Sequence, residues 1–136
     1  MQIGSIKENL SLEKRIAITP EVAKKYTILG FKISLSENYG EHLGISDDQF
    51  KEVGVKIIKN EKELINSLDI IIQLGLLSED NISLIKANQT VVGILDPYNN
   101  KEKIENLVNK KINVFSLELL PRTTRAQSMD ILSSQA

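Results

Sequence analysis

The residues best equipped for chemistry stand together at the end of the chain. Pro121 to Ala136 reads Pro-Arg-Thr-Thr-Arg-Ala-Gln-Ser-Met-Asp-Ile-Leu-Ser-Ser-Gln-Ala, directly after an apolar run from Ile112 to Leu120. The chain has three arginines and two of them, Arg122 and Arg125, are here; elsewhere lysine carries nearly all the positive charge. A guanidinium is a planar fork of donors that grips a carboxylate or phosphate through two parallel hydrogen bonds. Gln127 both donates and accepts, which suits another carboxamide or a ribose hydroxyl. Asp130 lies eight residues beyond Arg122 and can pair with it across a loop. Ser128 or Ser133 can cap a helix that starts there. A plainer reading is a polar strand-to-helix loop closed by an ordinary Arg122–Asp130 ion pair. Residue types leave both readings open, because loops after parallel strands are polar and are also where such proteins bind ligands.

The remaining candidates are sparser. Arg15 follows Lys7-Glu-Asn-Leu-Ser-Leu-Glu-Lys; it could face a ligand carboxylate or tie down Glu13. His42 is the only histidine and sits in a loop bracketed by Gly40 and Gly44. A lone His in such a place reads as a surface residue, and no catalytic triad or metal-ligand spacing can be built on it. The glycines are scattered, with no G-x-G-x-x-G after a strand and no Walker-type loop, so the phosphate cradle of a dinucleotide site is missing from the sequence. Asp96-Pro97-Tyr98-Asn99-Asn100 reads as a turn leading to a helix cap.

The elements that must position these residues alternate between strand and helix. Strands are expected at Gln2–Ile6, Phe31–Ser36, Val55–Ile58, Asp69–Leu74, Thr90–Leu95 and Ile112–Leu120. Asp69–Leu74 is nearly all apolar, as expected of a strand covered on both faces. Thr19-Pro20-Glu21 opens a helix with its cap, its first-turn proline and an acidic first turn, and Gly30 stops it. Ser46-Asp-Asp-Gln49 is a capping box for a short helix ending near Gly54. Further helices are expected at Asn60–Ser67, Ser78–Ala87 and Lys101–Lys110. This order predicts an α/β fold: one domain over residues 1–136, a mainly parallel sheet flanked by helices in a flavodoxin- or Rossmann-like three-layer arrangement.

Bulk properties narrow the function. The 136 residues carry a formal net charge of -1, and 41% of them are hydrophobic. Lysines are interspersed with acids, so no basic patch marks a nucleic-acid partner. The absence of cysteine excludes disulfides, thiolate catalysis and Cys-based zinc sites. No apolar run approaches the roughly 18–20 residues of a spanning helix. The first residues lack the basic and apolar regions of a signal peptide, so a soluble chain is expected.

Several motifs together resemble a known family. These are Lys7-Glu, Glu13-Lys-Arg15-Ile-Ala-Ile-Thr-Pro20-Glu, Leu29-Gly-Phe, and the terminal Pro121-Arg-Thr-Thr-Arg-Ala-Gln-Ser-Met-Asp-Ile-Leu-Ser-Ser-Gln. In order along the whole chain, they resemble the N-terminal domain shared by alanine dehydrogenase and the alpha subunit of proton-translocating NAD(P) transhydrogenase. The earlier motifs are common to both; the terminal one is specific to the transhydrogenase side. There the resemblance implies a loop beside the nicotinamide of NAD(H), facing the NADP(H)-binding component, with Arg122, Gln127, Asp130 and Ser133 as its cofactor-binding residues and the first three as catalytic. It implies an oxidoreductase that moves hydride from NADH to NADP+, coupled to proton movement through separate membrane components. It also implies a homodimer, a cytoplasmic site on the membrane surface held by partner subunits, and a following helix and G-x-G-x-x-G domain that bind NAD(H). On this reading the chain ends where that helix begins and is inactive alone.

Alanine dehydrogenase is the enzyme alternative. That family uses a Lys and a His near its substrate to move protons, and the corresponding positions here are Gln73 and Asp96. Hydride transfer between two nicotinamides moves no proton at the reacting carbons and needs positioning and a dry site instead. A chain poor in acid–base groups and rich in positioning groups matches that reaction better. A non-catalytic remnant or assembly module is the third reading.

Overall fold

A computed structural model describes residues 1–11, 13–75, 77–94 and 99–116. Six strands form one all-parallel sheet: β1 (Gln2–Ser5), β2 (Lys32–Ser36), β3 (Lys56–Ile58), β4 (Ile70–Gln73), β5 (Thr90–Gly93) and β6 (Asn113–Ser116). Their order across the sheet is β3-β2-β1-β4-β5-β6. That is the doubly wound Rossmann order rather than the flavodoxin one. The chain winds outward from β1 to β3, returns to the middle, and winds outward again from β4 to β6.

The helices are α1 (Pro20–Ile28), α2 (Asp47–Glu52), α3 (Glu61–Ser67), α4 (Glu79–Leu84) and α5 (Lys101–Asn109). Their starts follow the capping chemistry of the sequence. The Thr19 hydroxyl accepts the Val22 N–H ahead of Pro20, and Ser46 with Gln49 forms the reciprocal capping box. Asn60 and Ser78 cap α3 and α4 in the same way. Gly30 and Gly54 then turn the chain at φ 95° and 93°, a backbone region that L side chains resist.

Alternating strand side chains separate two apolar layers. Ile3, Ile33, Leu35 and Ile72 pack with Val22 and Ala23 of α1 and Phe50 of α2. On the opposite face, Ile71 and Val91 pack with Leu64 and Ile65 of α3, Ile82 of α4 and Leu107 of α5. Burial on both faces explains why β4 reads as an unbroken isoleucine run. Gly4 lets β1 lie close to its neighbours: a Cβ there would collide with the Ser34 carbonyl oxygen and sit 2.7 Å from a Leu68 methyl.

The structure adjusts some expected boundaries. α4 stops at Leu84, short of Ala87, because Ile85 is extended and the Gln89 side chain takes the Lys86 N–H at 2.6 Å. β2 starts at Lys32; Phe31 instead packs edge-on against Tyr26, 6.2 Å between ring centres. The loop around His42 contains a 3-10 turn, Glu41–Leu43, that the sequence did not suggest. The expected continuation of β6 to Leu120, and residues 95–98 of the turn before α5, lie outside the described residues.

Candidate functional site

In an open parallel sheet, ligands bind beyond the carboxyl ends of the strands where the strand order reverses. Here that point lies between β1 and β4, and a cavity of about 520 Å³ opens there. Lys7 to Asn9, following β1, form one wall; Gln73, Leu77 and Ser78, at and after β4, form another; the starts of α4 and α5 complete it.

A buried hydrogen-bond chain runs into this cavity. The Tyr39 hydroxyl accepts the Ala17 and Ile18 N–H groups at 2.9 and 3.3 Å and donates to Ser5 Oγ at 2.8 Å. Ser5 Oγ donates to Gln73 Oε1 at 2.8 Å, and the Ile6 N–H donates to the same oxygen at 2.6 Å. Gln73 Nε2 donates to the Ile6 carbonyl and to Glu8 Oε2, each at 3.0 Å. Glu8 also accepts the Leu74 N–H at 3.0 Å and the Gly75 N–H at 3.1 Å. Every polar atom of Gln73 is therefore engaged, and its amide has one permitted orientation. Tyr39, Ser5 and Gln73 together join β1, β4 and the segment after β2.

The electrostatics follow from burial. Desolvation raises the Glu8 carboxyl above its ordinary value; the Leu74 and Gly75 N–H groups oppose that shift, and the nearby charge of Glu13 adds to it. Desolvation also pushes the Tyr39 phenol far up, so Tyr39 is a neutral hydrogen-bonding group. Glu13 is held low by its hydrogen bond from Arg15.

Not all candidates meet here. Arg15 takes the tying role: its guanidinium grips Glu13 through two 3.0 Å hydrogen bonds, in an exposed loop. His42 is half-buried rather than a free surface residue. Its Nε2 pairs with the Lys14 carbonyl at 2.6 Å, while Nδ1 is buried without a partner. It does not line the cavity. Arg122, Arg125, Gln127, Ser128, Asp130 and Ser133 lie outside the described residues, as does Asp96. Gln73 stands at the end of β4, where the sequence placed it. Sequence reasoning passed over Glu8, Ser5 and Tyr39. The available signals were a polar residue closing the Ile70-Ile-Ile72 run and an acid soon after the first strand, but their partnership needs the β1–β4 pairing. Among the described residues no group of three or more His, Cys, Asp or Glu side chains could hold a metal, and no helix is long and apolar enough to cross a membrane.

A doubly wound parallel sheet with a polar crevice at its switch point defines a Rossmann-like class of fold without fixing ligand or function. The comparisons with known proteins narrow the class. Residues 4–136 match the family model of the alanine dehydrogenase/PNT N-terminal domain, and the chain belongs to that family. Over its whole length it is 36% identical to the first portion of the NAD(P) transhydrogenase alpha subunit of Rickettsia prowazekii, a polypeptide of which it spans 37%. Alanine dehydrogenase 1 of Staphylococcus aureus is 28% identical over the whole chain, which spans 36% of that protein. The solved structure of transhydrogenase from Sinorhizobium meliloti superposes with a TM-score of 0.86 at 32% identity, over 99% of this chain and 40% of that one. The chain is thus homologous to the N-terminal part of a transhydrogenase alpha subunit, within an oxidoreductase family.

Proposed function

We propose that this chain forms the N-terminal domain of an NAD(P) transhydrogenase alpha subunit whose enzyme transfers hydride from NADH to NADP+. The observation that carries this reading is the state of Gln73. Where an imine-forming dehydrogenase needs a titratable amine, this chain has a carboxamide with all its hydrogen-bonding capacity used. Such a group can hold shape but cannot give or take a proton. The stronger likeness to a transhydrogenase subunit than to alanine dehydrogenase points the same way.

In this reading Arg122 and Asp130 pair to shape the loop after β6, Gln127 orients the nicotinamide or its ribose, and Ser133 adds a hydrogen bond. The donor set suits the nicotinamide end of NAD(H), but the sequence has no G-x-G-x-x-G to hold the pyrophosphate. NAD(H) therefore needs a second wall from another domain or subunit, and NADP(H) sits on a partner component. Coupling to proton translocation, a homodimeric subunit and attachment to the cytoplasmic face of a membrane through partners belong to the same proposal. The 136 residues alone are expected to bind NADH weakly and to be inactive.

The test is to place Arg122→Ala and Gln127→Ala in the assembled enzyme. Hydride transfer should slow by tenfold or more while NADH affinity changes little. Unchanged turnover in both would remove these residues from the site. Steady NAD-dependent alanine oxidation by the unmodified enzyme would replace the reading with the alanine dehydrogenase one.

A further inference from the structure

The turn after β4 hangs on a single carboxylate. Glu8 is 8% exposed, and its two oxygens face three N–H donors, from Gln73, Leu74 and Gly75. Among the described residues no acceptor is paired with it. The nearest carboxamide oxygen, Gln73 Oε1, already takes the Ser5 hydroxyl and the Ile6 N–H. A protonated Glu8 would have to aim its new O–H at a donor or turn away, giving up at least one of the three bonds. Leu74 and Gly75 follow Gln73, which lines the switch-point cavity, and Leu77 and Ser78, two and three residues beyond Gly75 in sequence, line it as well.

We propose that Glu8 is a pH-responsive latch: ionised, it holds the turn after β4 closed against the segment after β1; protonated, it releases Leu74 and Gly75 and reshapes the cavity wall. The latch stands on this geometry and goes beyond the transhydrogenase reading. The groups that face it set where it works. Lys7 on its own segment and Lys103 on α5 line the same cavity. Glu79 and Asp80 on α4 line it as well, and the charge of Glu13 in the same loop disfavours the ionised form. Tyr39 reaches it through Ser5 and Gln73 and is neutral. Burial is the main opposition to the ionised form, so release is expected above the ordinary carboxylate value of 4.5.

The test is an amide titration of the full chain by two-dimensional NMR from pH 7.5 to 4.5, with hydrogen exchange corrected for intrinsic rates. The Leu74 and Gly75 amides should move together along one sigmoid with a midpoint above 4.5, and their protection should fall severalfold. The Ile71 and Val91 amides in the sheet should not follow. In Glu8→Gln the sigmoid should vanish. Flat Leu74 and Gly75 amides in the unmodified chain would overturn the latch, and so would a titration that persists unchanged in Glu8→Gln. Since the unmodified chain gives the primary answer, poor folding of the variant would not rescue the proposal.

Discussion

Two glutamines are buried at opposite ends of the same sheet, and they do different things. Gln89 stands just before β5, at the amino end. It donates to the Ile65 and Leu68 carbonyls and accepts the Lys86 N–H, closing the junction of α3, α4 and β5. Among the described residues all its partners are neutral backbone groups. Gln73 stands at the carboxyl end of β4. It joins Ser5, Ile6 and a carboxylate, and it borders a cavity. The same side chain is a backbone stitch at one end and the brace of a titratable site at the other. Parallel sheets concentrate chemistry at their carboxyl ends, and here the contrast can be read from what each amide holds.

Substitution should expose the difference, with the largest effect at the carboxyl end. Gln73→Leu strands Glu8, the Ser5 hydroxyl and both Ile6 backbone groups, and should cost about 3–5 kcal/mol, because a buried charge loses a donor along with the neutral groups. Gln89→Leu strands only neutral backbone groups and should cost about 2–3 kcal/mol. Urea unfolding of both variants ranks them; a larger loss for Gln89→Leu would dissolve the comparison. Tyr39→Phe removes the hydroxyl that receives the Ala17 and Ile18 N–H groups and should cost about 1–2 kcal/mol by the same measurement.

The smallest effect is one of pH. The folded-state pKa of Glu8 is raised, so its ionised form is disfavoured by folding. That cost is full above the folded value and is relieved as pH falls toward 4.5. The stability of the unmodified chain relative to Glu8→Gln should therefore rise between neutrality and pH 4.5. A difference that falls over the same window would reverse the assigned sign.

Much of this fold was legible in advance because its signals are local. Thr19-Pro20, Ser46 with Gln49, and Gly30 each specify a helix end through contacts within a few residues. The isoleucine run of β4 announced a strand covered on both faces. The strand order was not legible, since it depends on which crossovers return to the centre. The site was legible only as scattered polar residues. Glu8 and Gln73 are separated by 65 positions, and only the β1–β4 pairing makes the acid a neighbour of the amide. Arg15 shows the converse: a strong chemical candidate whose charge is spent on Glu13, two residues away. The terminal motif with Arg122, Gln127, Asp130 and Ser133 speaks through its sequence likeness, and its geometry lies outside the described residues.

As proposed, this domain would serve hydride exchange between nucleotides rather than amination of an oxo acid. The most direct measurement follows the hydride itself. The enzyme assembled from this chain and its nucleotide-binding components is given NADH deuterated at the transferred C4 position, NADP+, pyruvate and ammonium in ordinary water. The deuterium should appear in NADPH without being washed out. Deuterium found in alanine, with none in NADPH, would contradict it.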